Sequence, residues 1–292
     1  MLGEDRLNLK SKLDFKIIIN IVKEKIFFVF LIIFSFVVLL FLIFILSDIF
    51  LKGIRNVNLA LFINLPKPTG EAGGGILNAI VGTFILSLTA SVFAIPIGII
   101  IGIYLADANS RFAEFTRLFV EVLQSSPSIV LGIVVYVWLV VPMKTFSAIS
   151  GAVALAIMML PVIIKNTEET LRMIPYSVRE AAYALGVPYY KIIIRVILPC
   201  GLSGILTGII LSLSRIMGET APLLFTAFGN PFLSFNLFKP IEAIPHIIFK
   251  YATSPYEDWQ NIAWGASFVL VIFVLLFNFL SKVVTKRWKV RF

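Results

Sequence analysis

Six stretches of this chain contain no Asp, Glu, Lys or Arg: Ile26–Ser47, Ile76–Ala106, Val122–Met143, Thr145–Ile164, Val196–Ser214 and Ile262–Ser281. A spanning helix needs about 20 mostly apolar residues to cross a hydrocarbon layer about 30 Å thick. The six runs therefore predict six transmembrane helices in an all-α integral membrane protein. Composition agrees, since charged residues make up 14% of the chain where soluble domains carry about a quarter, and mean hydropathy is +1.00.

The net charge of +9 is an orientation signal, and nucleic acid is not expected as a partner. Of 25 Lys and Arg, 18 fall in segments 1–25, 107–121, 165–195 and 282–292, whereas six fall in 48–75, at 144 and in 228–259. Basic residues accumulate on the cytoplasmic side, so both termini are expected inside and the bilayer is the first partner. The expected division is a cytoplasmic basic arm (1–25), a first transmembrane helix (26–47), an external loop (48–75), a five-span block (76–281) with a cytoplasmic loop at 165–195, and a cytoplasmic tail (282–292). No small-residue cleavage site follows the first span, which is longer than the 7–15 residues or so of a signal-peptide core. It is expected to stay as an anchor.

Several polar features sit within or beside the spans. Pro96 marks a bend in the second span, and Gly98 and Gly102 form a small-residue face for close helix contact. Gly204, Gly208 and Ser212 form another in the fifth. Thr83, Ser87 and Ser91 recur every four residues, either lining a polar path or bonding back to their own helix. Arg117 and Glu121 are spaced to pair at i,i+4 on a solvated segment. Gln124-Ser125-Ser126-Pro127-Ser128 interrupts the third span and is expected to face the bundle interior, where freed backbone groups can be satisfied. Arg215 and Glu219, in the fifth span, are either a structural ion pair or part of a transport path. His246 reads as a loop residue.

The long polar loop centres on Glu180-Ala181-Ala182. Ser177 and Glu180 are spaced for a capping box starting a helix at Val178, and Gly186 is placed to end it in a left-handed conformation. Val178, Ala181, Ala182 and Leu185 form one apolar stripe. So short a helix needs support, from the chain's own surface or from a partner protein.

Glu180-Ala181-Ala182, Gly186, Val196 and Leu198-Pro199 stand at the spacing of the EAA loop of ABC importer permeases, departing only in Val196 for the commoner Ile. Gly218-Glu219-Thr220-Ala221-Pro222-Leu223-Leu224-Phe225-Thr226-Ala227 is similar to the PstA family of phosphate-importer permeases, as is Gly74-Gly75-Ile76 leading into Ile80-Val81-Gly82-Thr83. The resemblance runs from about Gly74 to Ser281. It implies a type I ABC importer permease core of five helices plus an N-terminal helix, in a prokaryotic plasma (inner) membrane. It implies phosphate permeation with a homologous PstC-like permease, two copies of a PstB-like ATPase and a PstS-like phosphate-binding protein. Glu180, Ala181, Ala182, Gly186, Leu198 and Pro199 would couple to the ATPase, with Pro199 passing its motion to the fifth span. Arg215, Glu219, Thr220, Ser87 and Ser126 would line the substrate path.

The chain is not expected to be an enzyme. It has no G-x-x-x-x-G-K-[ST] phosphate loop, and no Ser-His-Asp, Cys-His or paired-carboxylate set. One cysteine, Cys200, and one histidine do not make a metal cluster. No cofactor is expected in this chain, ATP and Mg being bound by the ATPase. Two other readings stay open: a type I permease for another oxyanion such as molybdate or sulfate, and an ATPase-independent secondary transporter or channel, which inverted repeats would favour.

Overall fold

The computed structural model describes the backbone of residues 2–71 and 73–287, and most side chains from Asn20 onward. Helices dominate it. The chain divides into two compact units, residues 1–51 and 52–292.

The first unit is one helix, the greater part of α1 (Leu2–Asn56). Its side chains from Asn20 to Ser47 are exposed, Phe41 at 66% and Phe44 at 70%. A helix apolar all round suits lipid. The expected arm, span and start of the external loop are thus one continuous helix. No Pro or Gly interrupts residues 4–52, and polar flanks alone do not unwind a helix.

In the second unit, α2 (Leu59–Ile63) starts where the Asn58 side chain accepts the N–H of Leu61. The glycine run then folds back, Gly75 so near the carbonyls of Ala60 and Asn64 that an added Cβ would lie 2.6 and 2.4 Å from them. Next come α3 (Leu77–Asp107), with Pro96 inside it, and α4 (Arg111–Ser125). Then follow α5 (Ser128–Val135), a π turn at Tyr136–Val140 and the single turn α6 (Val141–Met143).

The helix α7 (Ala148–Arg172) is the axis of this unit. Gly98 and Gly102 of α3 meet Ile163 and Thr167, where an added Cβ would come within 2.7 and 2.5 Å. From the other side, α10 (Leu198–Ile216) brings Gly204 and Gly208 against Thr170 and Asn166, at 2.2 and 2.4 Å for the same construction. The two small-residue faces read from the sequence therefore pack on one central helix. Without side chains at the contact, backbones approach and dispersion contacts multiply.

Between α7 and α10 lie α8 (Tyr176–Ala184), α9 (Tyr189–Ile192) and a second π turn at Ile193–Ile197. Each π turn stands just before a proline, Pro142 or Pro199. Proline lacks an N–H and its ring crowds the carbonyl four residues back, and a widened turn relieves both. After α10 come α11 (Ala221–Thr226), α12 (Ile244–Ala252) and α13 (Glu257–Arg287).

Among the described residues five helices are long and apolar enough to cross a membrane, and six if α4 with α5–α6, bent by 105°, counts as one span. The bend falls at Ser126-Pro127. In the segment read as solvated, α4 is amphipathic, with Phe112, Phe115, Leu118 and Phe119 exposed on one face. Arg117 does not pair with Glu121. It reaches Glu168 at 2.7 Å, while Glu121 lies 3.8 Å from Lys165.

Candidate transport path and coupling surface

The fifth span does not run through as one helix. It ends at Ile216, turns through Gly218 and Glu219, whose N–H groups bond to the carbonyls of Arg215 and Ile216, and resumes as α11. Arg215 is thus in the last turn of α10, where a cation is favoured by the helix dipole. Glu219 lies beyond the helix, so one helical face does not carry both. They still approach across the turn, Nε to Oε1 3.6 Å, with side chains 45% and 19% exposed. Among the described residues the guanidinium makes no hydrogen bond, and its donors remain available.

On the carboxylate side of the break Glu219 lines a crevice with Thr83, Ser87, Leu155, Met217 and Pro245 that leaves no room for a water molecule. The hydroxyl stripe of α3 resolves residue by residue here. Thr83 donates to the Ala79 carbonyl at 2.8 Å and accepts the Ile244 N–H at 2.9 Å; Ser91 donates to the Ser87 carbonyl at 2.6 Å. Ser87 is buried with no partner for its Oγ. Structural bonding thus accounts for Thr83 and Ser91, and Ser87 is the buried hydroxyl without a partner among the described residues. Thr220 begins α11 without a side-chain cap, and Pro222 seats that helix on Gly132 of α5, 2.6 Å from the position of an added Cβ.

Ser126 stands apart from this group. It ends α4 at the 105° bend, and its hydroxyl donates to the Val122 carbonyl at 2.7 Å. Gln124, Ser125 and Pro127 beside it are exposed, so this stretch faces out of the chain's own bundle and not into it. The proline frees backbone groups, and the break exposes them where the sequence suggests enclosure.

The loop around Glu180 forms α8, but not with the expected cap. Pro175 precedes the helix, which begins at Tyr176, and no side chain caps it. Ser177 falls inside the first turn because Pro175 supplies a residue with no N–H to satisfy. Gly186 does take the left-handed conformation, φ +69°. The predicted stripe splits: Ala182 is buried and Val178 half-buried, whereas Glu180, Ala181 and Leu185 are exposed, Leu185 at 81%. Ala182 thus packs on the chain's own body and Ala181 presents a small outward surface beside Glu180. Leu198 and Pro199 open α10 directly behind the second π turn.

Two groups escaped the sequence reading. Arg179, placed off the apolar stripe, makes a tight ion pair with Asp107, which also accepts the Tyr189 hydroxyl at 2.6 Å. His246 is no loop residue: it lies in the first turn of α12 and bonds to the buried Glu242. Their i,i+4 spacing is the signal that could have found them. Nearby, burial, reinforced by the charge of Glu242, pushes the Tyr251 hydroxyl up to about 12.

The family model described as "Binding-protein-dependent transport system inner membrane component" matches residues 94–290. The chain is similar to the phosphate transport system permease protein PstA of Yersinia pestis, 46% identical over 253 residues and 86% of each chain. It is 39% identical over 207 residues to the probable PstA of Methanocaldococcus jannaschii, covering 70% of this chain and 74% of that one. Among solved structures, a chain of the inward-facing MetNI methionine ABC transporter superposes with TM-score 0.60 at 22% identity, covering 74% of this chain and 95% of that one. An amino acid ABC transporter crystallised with histidines gives 0.52 at 17%, covering 73% and 92%. At those identities the likeness shows the fold, that of the type I importer permeases. The chain belongs to the family of binding-protein-dependent transport system inner membrane components and, within it, to the PstA permeases.

Proposed function

We propose that this chain is the transmembrane permease subunit of an ATP-driven importer of inorganic phosphate. It would be multi-pass in a prokaryotic plasma membrane with both termini cytoplasmic. The observation that carries the reading is the similarity to PstA relatives across most of both chains. The geometry supports a division of labour. The exposed face of α8, with Glu180 and Ala181, docks in a groove of the ATPase, while Ala182 and Gly186 hold the helix on the body. Leu198 and Pro199 join that helix to α10. ATP and Mg belong to two PstB-like ATPase subunits, a PstS-like protein delivers phosphate, and a PstC-like permease completes the path.

In this reading Arg215 receives phosphate. A guanidinium offers a planar, bidentate set of donors to an oxyanion, and this one stands half-exposed at a helix break, free of hydrogen bonds. Glu219 holds the guanidinium loosely when the path is empty and opposes prolonged retention of the anion. Thr220 and Ser87 supply neutral polar groups on the Glu219 side, and Ser126, at the outward-facing bend between α4 and α5, lines the path from the side that the companion permease would cover.

The test is reconstitution of the chain with its companion permease, ATPase and binding protein in liposomes, measuring radiolabelled phosphate uptake with and without ATP. ATP-dependent phosphate uptake is expected. Uptake of molybdate or sulfate in place of phosphate would reject the substrate, and uptake without an ATPase would reject the class.

A further inference from the structure

Arginines from three elements converge on the C-terminal end of α3. Arg117 of α4 donates to the carbonyls of Leu105 at 2.8 Å and Ala108 at 2.9 Å, and Arg172, ending α7, reaches Leu105 at 3.2 Å. Glu168 joins these two, 2.7 Å from Arg117 and 3.1 Å from Arg172. Together they frame α3, α4 and α7 as one block. The third arginine differs in origin, because Arg179 belongs to α8 and binds the side chain of Asp107, the last residue of α3.

A carboxylate at a helix C-terminus faces the negative end of the dipole, so Asp107 does not stabilise its own helix. Its partners lie on both sides of the α8–α9 turn: Arg179 before Gly186 and Tyr189 after it. Both members of the Arg179–Asp107 pair are largely buried, 14% and 19% exposed. Salt screens such a pair less than a surface one.

The covalent path from α8 to α10 is more compliant. It passes the left-handed Gly186, Pro188, a single turn of helix and the π turn at Ile193–Ile197. Behind Asp107, by contrast, α3 is seated on α7 at Gly98 and Gly102 with no room for a methyl group. Toward α10 a displacement of α8 thus meets a soft connection along the chain; toward the packed block it meets the short link of residues 173–175, the Arg179 bond to the Leu171 carbonyl at 3.4 Å and the ion pair with Asp107.

We infer that Asp107 is a positioning residue through which α8, by way of Arg179, transmits the ATPase's motion to α3. This rests on the proposed docking of α8 on an ATPase. The test uses the complete reconstituted complex and compares phosphate moved per ATP hydrolysed. Asp107→Asn is expected to retain the ATPase and its hydrolysis but to lower that ratio about fivefold or more, the low end of ordinary coupling between sites. The exchange Asp107→Arg with Arg179→Asp is expected to recover much of it, which a purely structural loss would not. An unchanged ratio in Asp107→Asn overturns the inference, as does an exchange that recovers nothing. If Asp107→Asn does not assemble, Arg179→Gln is compared in its place, and failure of both to assemble assigns the pair to folding and overturns transmission. A wild-type complex that binds no ATPase or moves no phosphate refutes the functional reading instead, before any variant is made.

Discussion

Replacing Arg215 by Lys separates a transport role from a structural one. At 3.6 Å two unit charges attract by about 1 kcal/mol at the dielectric of water and about 5 kcal/mol at an effective value near 20. With the guanidinium 45% exposed, solvent screening holds the pair toward the lower figure, in the range of about 0–1 kcal/mol measured for surface pairs. Lysine keeps the charge beside Glu219, so assembly and thermal stability should change by less than about 1 kcal/mol. What lysine loses is the second, parallel donor to an oxyanion. One hydrogen bond to a charged group is worth about 1.5–3 kcal/mol, which corresponds to roughly 10- to 150-fold in affinity. Uptake by the reconstituted complex, measured across phosphate concentrations, should therefore show at least a tenfold loss at low phosphate with the complex intact. Near-normal uptake by assembled Arg215→Lys protein would refute the reasoning and leave the pair as a minor structural contact.

The two alanines of the loop should respond differently. Ala181→Arg, on the exposed face, should reduce co-purification of the ATPase while the permease keeps its own melting temperature; Ala182→Arg should lower that temperature, because it buries an unpaired charge. Gly82→Ala should destabilise by about 1–3 kcal/mol or more, since its Cβ would fall 1.9 Å from the Glu242 carbonyl oxygen, whereas Gly218→Ala meets nothing closer than 3.7 Å and should melt like the wild type. In a Cys200→Ala background, cysteines at the exposed Thr69 and Asn236 should react with an impermeant thiol reagent from outside, and one at Ser177 should not. The reverse pattern would overturn the six-span orientation.

The number of spans was readable because lipid imposes one length on all of them, and an uncharged run of about 20 residues has few other uses. The packing faces were readable for a related reason. Gly98 with Gly102 and Gly204 with Gly208 are spaced one helical turn apart, and small residues there permit a contact that larger ones forbid. What the sequence did not reveal is which helix receives them: both faces meet α7, on Ile163 and Thr167 from one side and Asn166 and Thr170 from the other. Helix ends were less readable. Residues 165–195 read as one cytoplasmic loop, yet α7 continues as far as Arg172, where Glu168 is held by Arg117 and Arg172.

The charged residues show where local reading stops. Spacing along one segment offers only partners three or four residues away, and so it predicts Arg117 with Glu121. A helix end sets a different requirement, since its last carbonyls have no partner within the helix. At α3 these are the carbonyls of Leu105 and its neighbours, and donors long enough to reach them come from elsewhere: Arg117, and Arg172, 67 residues away. Arg179 meets a different need, reaching the Asp107 carboxylate across 72 residues. The pair that did form at the predicted spacing, Arg215 with Glu219, bridges a helix break and not a helical turn. In this chain Arg117 and Arg172 complete the C-terminal end of α3, whereas Arg215, without a hydrogen bond among the described residues, keeps its donors for a ligand.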